Sequence, residues 1–125
     1  MNVVLWVLQV LLALAFLAHG LLFLFPSAEM LQLMSPIPTA FRIFLGVAEV
    51  LAAIGLTLPG ITRILPWLVP AAAAGLMIVM ISATVFHITR GEVSSAMTTA
   101  ILLAMLTFVA YERWKVRPIR PRIPA

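Results

Sequence analysis

Phe41-Arg42-Ile43-Phe44-Leu45-Gly46-Val47-Ala48-Glu49-Val50 places an arginine and a glutamate inside a run that otherwise has the composition of a membrane-spanning helix. Seven residues make nearly two helical turns, so Arg42 and Glu49 fall about 20° apart around the axis and roughly 10 Å apart along it. Ionisable groups within the hydrocarbon are costly and generally face a bundle interior or a wet cavity, which makes this face a candidate site. Gly46 lies between the two on the same face.

The remainder of the chain supports a membrane setting. Its 125 residues are 64% hydrophobic and 10% charged, where soluble domains run at about half and about a quarter. Apolar runs of about 20 residues suffice to cross a bilayer. The expected fold is all-α: a four-transmembrane-helix bundle with spans at about 3–25, 39–58, 65–89 and 93–111, forming one domain over residues 1–114. A basic, proline-rich tail, 115–125, follows as extended chain with no core to join. The first run has no Lys or Arg before it and reaches Phe25, longer than the apolar region of a signal peptide, so it reads as a retained helix.

Proline and glycine mark the connections. Pro26 ends the first span, Ser27 is a candidate cap for a short interfacial helix, and Pro36 and Pro38 impose extended backbone. Thr39 is the expected N-cap of the second span, Pro59-Gly60 its end, and Arg90-Gly91-Glu92 a tight link into the fourth.

Four spans put both termini on one side. Arg113, Lys115, Arg117, Arg120 and Arg122 lie within the last thirteen positions and, with Arg63, outweigh Arg90 on the opposite side. The positive-inside bias therefore predicts cytoplasmic N- and C-termini and a multi-pass protein of the inner (plasma) membrane. The same bias accounts for the net charge of +4 without a nucleic-acid partner. Glu112-Arg113 reads as interfacial anchoring, and Trp6, Trp67 and Trp114 would all fall at the cytoplasmic interface.

In this orientation His19, Arg42, Thr84 and His87 lie toward the outer leaflet, with Glu49 near mid-membrane, while the inner halves are mainly Leu, Val, Ala and Ile. The expected site is a polar pocket in the outer-leaflet half. Its ligand-binding residues are Arg42, Glu49, His19, His87 and Thr84, and any acid–base chemistry falls to Glu49, His87 and His19. Arg42 and Glu49 are far enough apart that a bridge through His19, His87, water or ligand is favoured over a direct pair. No fixed metal motif, flavin site or nucleotide site is visible, and the absence of cysteine excludes thiol chemistry within this chain.

His19-Gly20, Arg42 to Glu49, Gly55-Leu56-Thr57-Leu58-Pro59, His87-Ile88-Thr89-Arg90-Gly91-Glu92 and Tyr111-Glu112-Arg113 together resemble the DoxX-like family, over nearly the whole chain to about Trp114. The resemblance implies a four-helix membrane bundle and an association with redox enzymes, with quinone as the ligand or cofactor. On that reading Arg42 donates to a carbonyl or anionic oxygen, Glu49 accepts or relays a proton, and His19 and His87 assist. The partners expected are the lipid bilayer, a membrane redox protein and, as an option, a second copy of the chain. Two other readings stand beside it: an assembly factor or chaperone that docks another membrane protein, and a membrane enzyme performing acid–base chemistry on an apolar substrate.

Overall fold

Helix α1 spans Asn2–Leu24, α2 Ala28–Leu33, α3 Thr39–Thr62, α4 Leu68–Thr89 and α5 Val93–Tyr111. A π-helical turn, Glu112–Val116, continues α5 directly. The computed structural model describes residues 1–122, so the last three positions of the predicted tail, 123–125, lie outside the described residues. Four helices, with α5 counted through Val116, are long and apolar enough to cross a membrane. Their outward faces carry Val3, Leu14, Phe44, Leu51 and Ile78, all at least half exposed. Surface of that kind is stable only against lipid, so the protein is an integral membrane protein.

The bundle is built from two antiparallel pairs. α1 packs along α3 and α4 along α5; α3 also packs on α4, and a slighter contact between α1 and α5 closes the ring. Leu5, Leu12, Phe16, Leu56, Leu76 and Leu106 form the centre of the core. In hydrocarbon there is little hydrophobic drive between helices, and small residues let backbones approach closely instead. Such an approach occurs where α1 crosses α3. A β-carbon at Gly20 would lie 2.9 Å from the Gly46 carbonyl oxygen, and one at Gly46 would lie 2.8 Å from Leu24 Cγ. Gly55 plays the same part between α3 and α4, 2.9 Å from the Ala72 β-carbon on that measure.

Several expected boundaries move. α3 does not stop at Pro59 but runs through it to Thr62. The missing proline N–H takes the helical donor only from Gly55, and packed neighbours support such an interruption in membrane helices. Pro38, not Thr39, is the N-cap of α3, and α4 begins at Leu68. The short interfacial helix forms as α2, with Ser27 Oγ accepting from the Met30 amide at 3.3 Å. At the end of α4, Gly91 takes φ 71°; the Glu92 amide donates to His87 O and the Gly91 amide to Ile88 O, which closes the helix in a Schellman turn.

The expectation of a tail with no core to join is also corrected. Residues 117–122 fold back against the end of α3. Arg63 Nε donates to Arg120 O at 3.0 Å, and the Arg122 amide donates to Arg63 O at 2.7 Å. Arg63 needs that support because it holds the left-handed conformation, φ 59°, which costs a non-glycine residue stability unless its surroundings fix it.

Candidate functional site

His19 projects from α1 and Glu49 from α3, and the Gly20–Gly46 approach brings them together. His19 Nδ1 and Glu49 Oε2 are 2.7 Å apart. The two ends of this bond have opposite environments: the Glu49 side chain is 2% exposed and that of His19 is 50% exposed. With a proton on Nδ1 the imidazole donates to the carboxylate, which leaves Nε2 as the ring's second polar atom. Phe23, one turn on, packs against the imidazole at a tilt of 38° with ring centroids 4.5 Å apart. A carboxylate buried in the bundle is thereby linked to a polar group on the bundle's outer surface.

Arg42 does not pair with Glu49; no carboxylate among the described residues lies within ion-pair distance of it. Its Nη1 donates to the carbonyl of Phe23. That carbonyl belongs to the last turn of α1, where helical acceptors have no partner, and a guanidinium there also meets the negative end of the helix dipole. Arg42 therefore fastens the start of α3 to the end of α1.

The other expected site residues go elsewhere. His87 Nδ1 bonds Glu92 Oε1 at 2.9 Å across the turn between α4 and α5, and Arg90 Nε lies 3.3 Å from the same oxygen. The hydrogen bond from His87, aided by the nearby Arg90 charge, holds the Glu92 carboxyl below the usual glutamate range. Thr84 Oγ1 and Thr99 Oγ1 are 2.7 Å apart and join α4 to α5. The five residues expected around one polar pocket in the outer-leaflet half do not all meet. His19 and Glu49 meet, Arg42 ties down the same helix pair, and His87 and Thr84 are taken up between α4 and α5.

The DoxX-like family model matches residues 7–109. The chain belongs to the DoxX-like family. Neither a curated protein nor a solved structure matches it.

At the opposite end of the DoxX-like bundle, where α1 begins and the π turn lies, is a second polar cluster that sequence reasoning missed. Arg113, expected at the interface, is 3% exposed and turned inward. Its Nε donates to Gln9 Oε1 at 2.7 Å, and its Nη1 donates to Asn2 Oδ1 at 2.8 Å and to Arg117 O at 3.0 Å. Gln9 Nε2 in turn donates to Leu56 O at 2.8 Å. One guanidinium thus connects α1 to the end of α5 and, through Gln9, to α3. Arg117, placed before Pro118, leaves the helical region at φ −134° and ψ 60°. The π turn, closed by the Arg117 amide on Glu112 O, accompanies that exit. The half of the bundle expected to be mainly Leu, Val, Ala and Ile therefore contains the most extensively hydrogen-bonded buried side chain described. Gln9 was the available signal, a lone amide in an apolar helix that must find a partner inside. Gln9 lies within the family match, whereas Asn2 and Arg113 lie outside it.

Proposed function

We propose that this DoxX-like protein binds a lipophilic, oxygen-bearing ligand of the quinone class at the lipid-facing edge of the His19–Glu49 pair. It would act there as an accessory component of a membrane redox system, with both termini in the cytoplasm. The observation that carries the reading is the difference in exposure across one hydrogen bond: a carboxylate sealed in the bundle, joined to an imidazole open to the surface. A ligand oxygen arriving from the bilayer meets Nε2 without entering a closed cavity. A quinone carbonyl accepts from Nε2–H of the doubly protonated ring, and a quinol hydroxyl donates to Nε2 of the neutral ring. Glu49 holds the ring's orientation and takes up the charge on the imidazolium. The electrons pass to or from a partner protein, since this chain contributes no thiol. Arg42 serves this reading as the fastener of α1 to α3, and His87, bonded to Glu92, makes no ligand contact in it.

The test is purification in mild detergent, solvent extraction and mass spectrometry of the retained lipids, for the unaltered protein and for His19→Leu and Glu49→Gln. A stoichiometric quinone, lost in both variants while the bundle stays helical, is the expected result. Bulk phospholipid alone in all three samples overturns it. A tightly bound neighbouring membrane protein, with no small molecule, would favour the assembly-factor reading in its place.

A further inference from the structure

At the end of the bundle where α1 begins, a cavity of about 400 Å³ is lined by three arginines, Arg63, Arg113 and Arg117, together with Asn2, Trp6 and Ile119. No carboxylate of the described residues lines it. Glu112, the nearest acid in sequence, lies beyond ion-pair distance of all three arginines. Arg113 spends its Nε and Nη1 on neutral amide and carbonyl oxygens, and its Nη2 is buried with no hydrogen-bond partner among the described residues. A guanidinium removed from water, with dipoles for its hydrogen-bond partners and no carboxylate at ion-pair distance among the described residues, is an expensive arrangement. Two further arginines in the same wall add to the positive charge. Arg63 is held in position by its bonds to Arg120 O and Pro121 O.

We propose that this cavity is a phosphate-binding site, occupied by the phosphate of an anionic phospholipid headgroup or by free phosphate. Planar, forked donors match phosphate oxygens, and several arginines on one wall are the usual means of holding them. Trp6 and Ile119 give the cavity an apolar side on which the glycerol end of a lipid can lie. The site is separate from the His19–Glu49 pair and does not depend on any role assigned to that pair.

Trp6 is the natural reporter: it lines the cavity, and the Arg113 guanidinium carbon lies 5.5 Å from its ring centroid. In the full chain, Trp67→Phe and Trp114→Phe leave Trp6 as the single indole. The protein, in neutral detergent micelles, is titrated with sodium phosphate at constant ionic strength, with dioleoylphosphatidylglycerol, and with the phosphate-free dioleoylglycerol. A saturable change in Trp6 emission is expected with one of the phosphate compounds and not with dioleoylglycerol. Response to the phospholipid alone identifies a headgroup site, and response to inorganic phosphate identifies a free-anion site. Arg117→Gln, at an exposed side chain whose backbone carbonyl still serves Arg113, should weaken binding about tenfold, the effect of losing one charge-assisted hydrogen bond. No saturable change in either phosphate arm, an equal response to dioleoylglycerol, or an affinity unmoved by Arg117→Gln overturns the proposal.

Discussion

Glu49 and Arg113 are both charged side chains buried in the bundle, one toward each end, and their surroundings differ in kind. Glu49 has one side-chain partner, His19, and that partner is half exposed. Arg113 has three oxygen partners drawn from α1 and from its own chain segment, and Gln9 extends the network to α3. A group whose partners are all internal can be replaced only by disturbing several elements at once, so it fastens the fold. A group linked to the surface through one exchangeable proton leaves the fold in place when that proton moves. The contrast sets an end fastened by internal bonds against one linked to the surface, and variants at each end can break or sharpen it.

Arg113→Met should have the largest effect. It leaves Gln9 Oε1 and Asn2 Oδ1 without their donor, and a loss of about 2–3 kcal/mol is expected for bonds to a charged group. Thermal or denaturant unfolding in detergent reads it. Gln9→Leu in the same chain should recover part of that loss, because removing both partners is gentler than orphaning one. Next comes Gly20→Ala, whose β-carbon would meet the backbone of α3 at the Gly46 carbonyl. Overpacking of this kind costs about 1–3 kcal/mol, and here it should also separate His19 from Glu49. Gly75→Ala is its control, since nothing lies within 4 Å of that position, and the gain in helix propensity should stabilise by about 0.5–1 kcal/mol. His19→Gln should be smaller still. It keeps a donor for Glu49, so a stability change under about 1 kcal/mol is expected while quinone retention is lost. If His19→Gln unfolds the bundle as readily as Arg113→Met, the two ends are alike and the contrast fails.

The four spans were legible because length and apolarity suffice to define them, and the His19–Glu49 meeting was legible in part. Gly46 and Glu49 are three apart on one helix, and His19-Gly20 brings the matching small residue beside the matching polar one. The half exposure of His19 was not legible. Ten residues separate it from Gln9, which turns the two about 80° apart on α1 and puts His19 at the edge of the face that Gln9 occupies. That argument needs to know which amide faces inward, and an α1 that is apolar all round gives no face to decide it. Arg113 was misread for a related reason. A basic residue near a helix end ordinarily reaches for phosphate, and the partner that draws Arg113 inward, Gln9, is 104 residues away in sequence. The bond made by Arg42 was not legible, because its partner is a backbone carbonyl at a helix end, a group that side-chain patterns do not reveal.

The smallest predicted effect concerns Glu92, which lies between the third and fourth spans and, with His87 from the last turn of α4, repeats the histidine–glutamate pairing of His19 and Glu49. His87 Nδ1 to Glu92 Oε1 is 2.9 Å, close to the 2.7 Å of the buried pair, but the Glu92 side chain is 42% exposed. Its carboxyl is held below the ordinary value first by the bond from His87 and then by the Arg90 charge. A carboxylate with a lowered folded-state value stabilises its turn above the unfolded value, and the benefit disappears as pH falls through the folded one. Carboxyl-carbon NMR should therefore find Glu92 titrating below an ordinary glutamate. His87→Ala should move the midpoint back up, and high salt should recover only the smaller part due to Arg90. The rest of the bundle should be unaffected. Should acidification through that range loosen the α1–α3 pair as well, the two histidine–glutamate bonds are coupled, and the division between a structural turn and a site open to ligand would have to be redrawn.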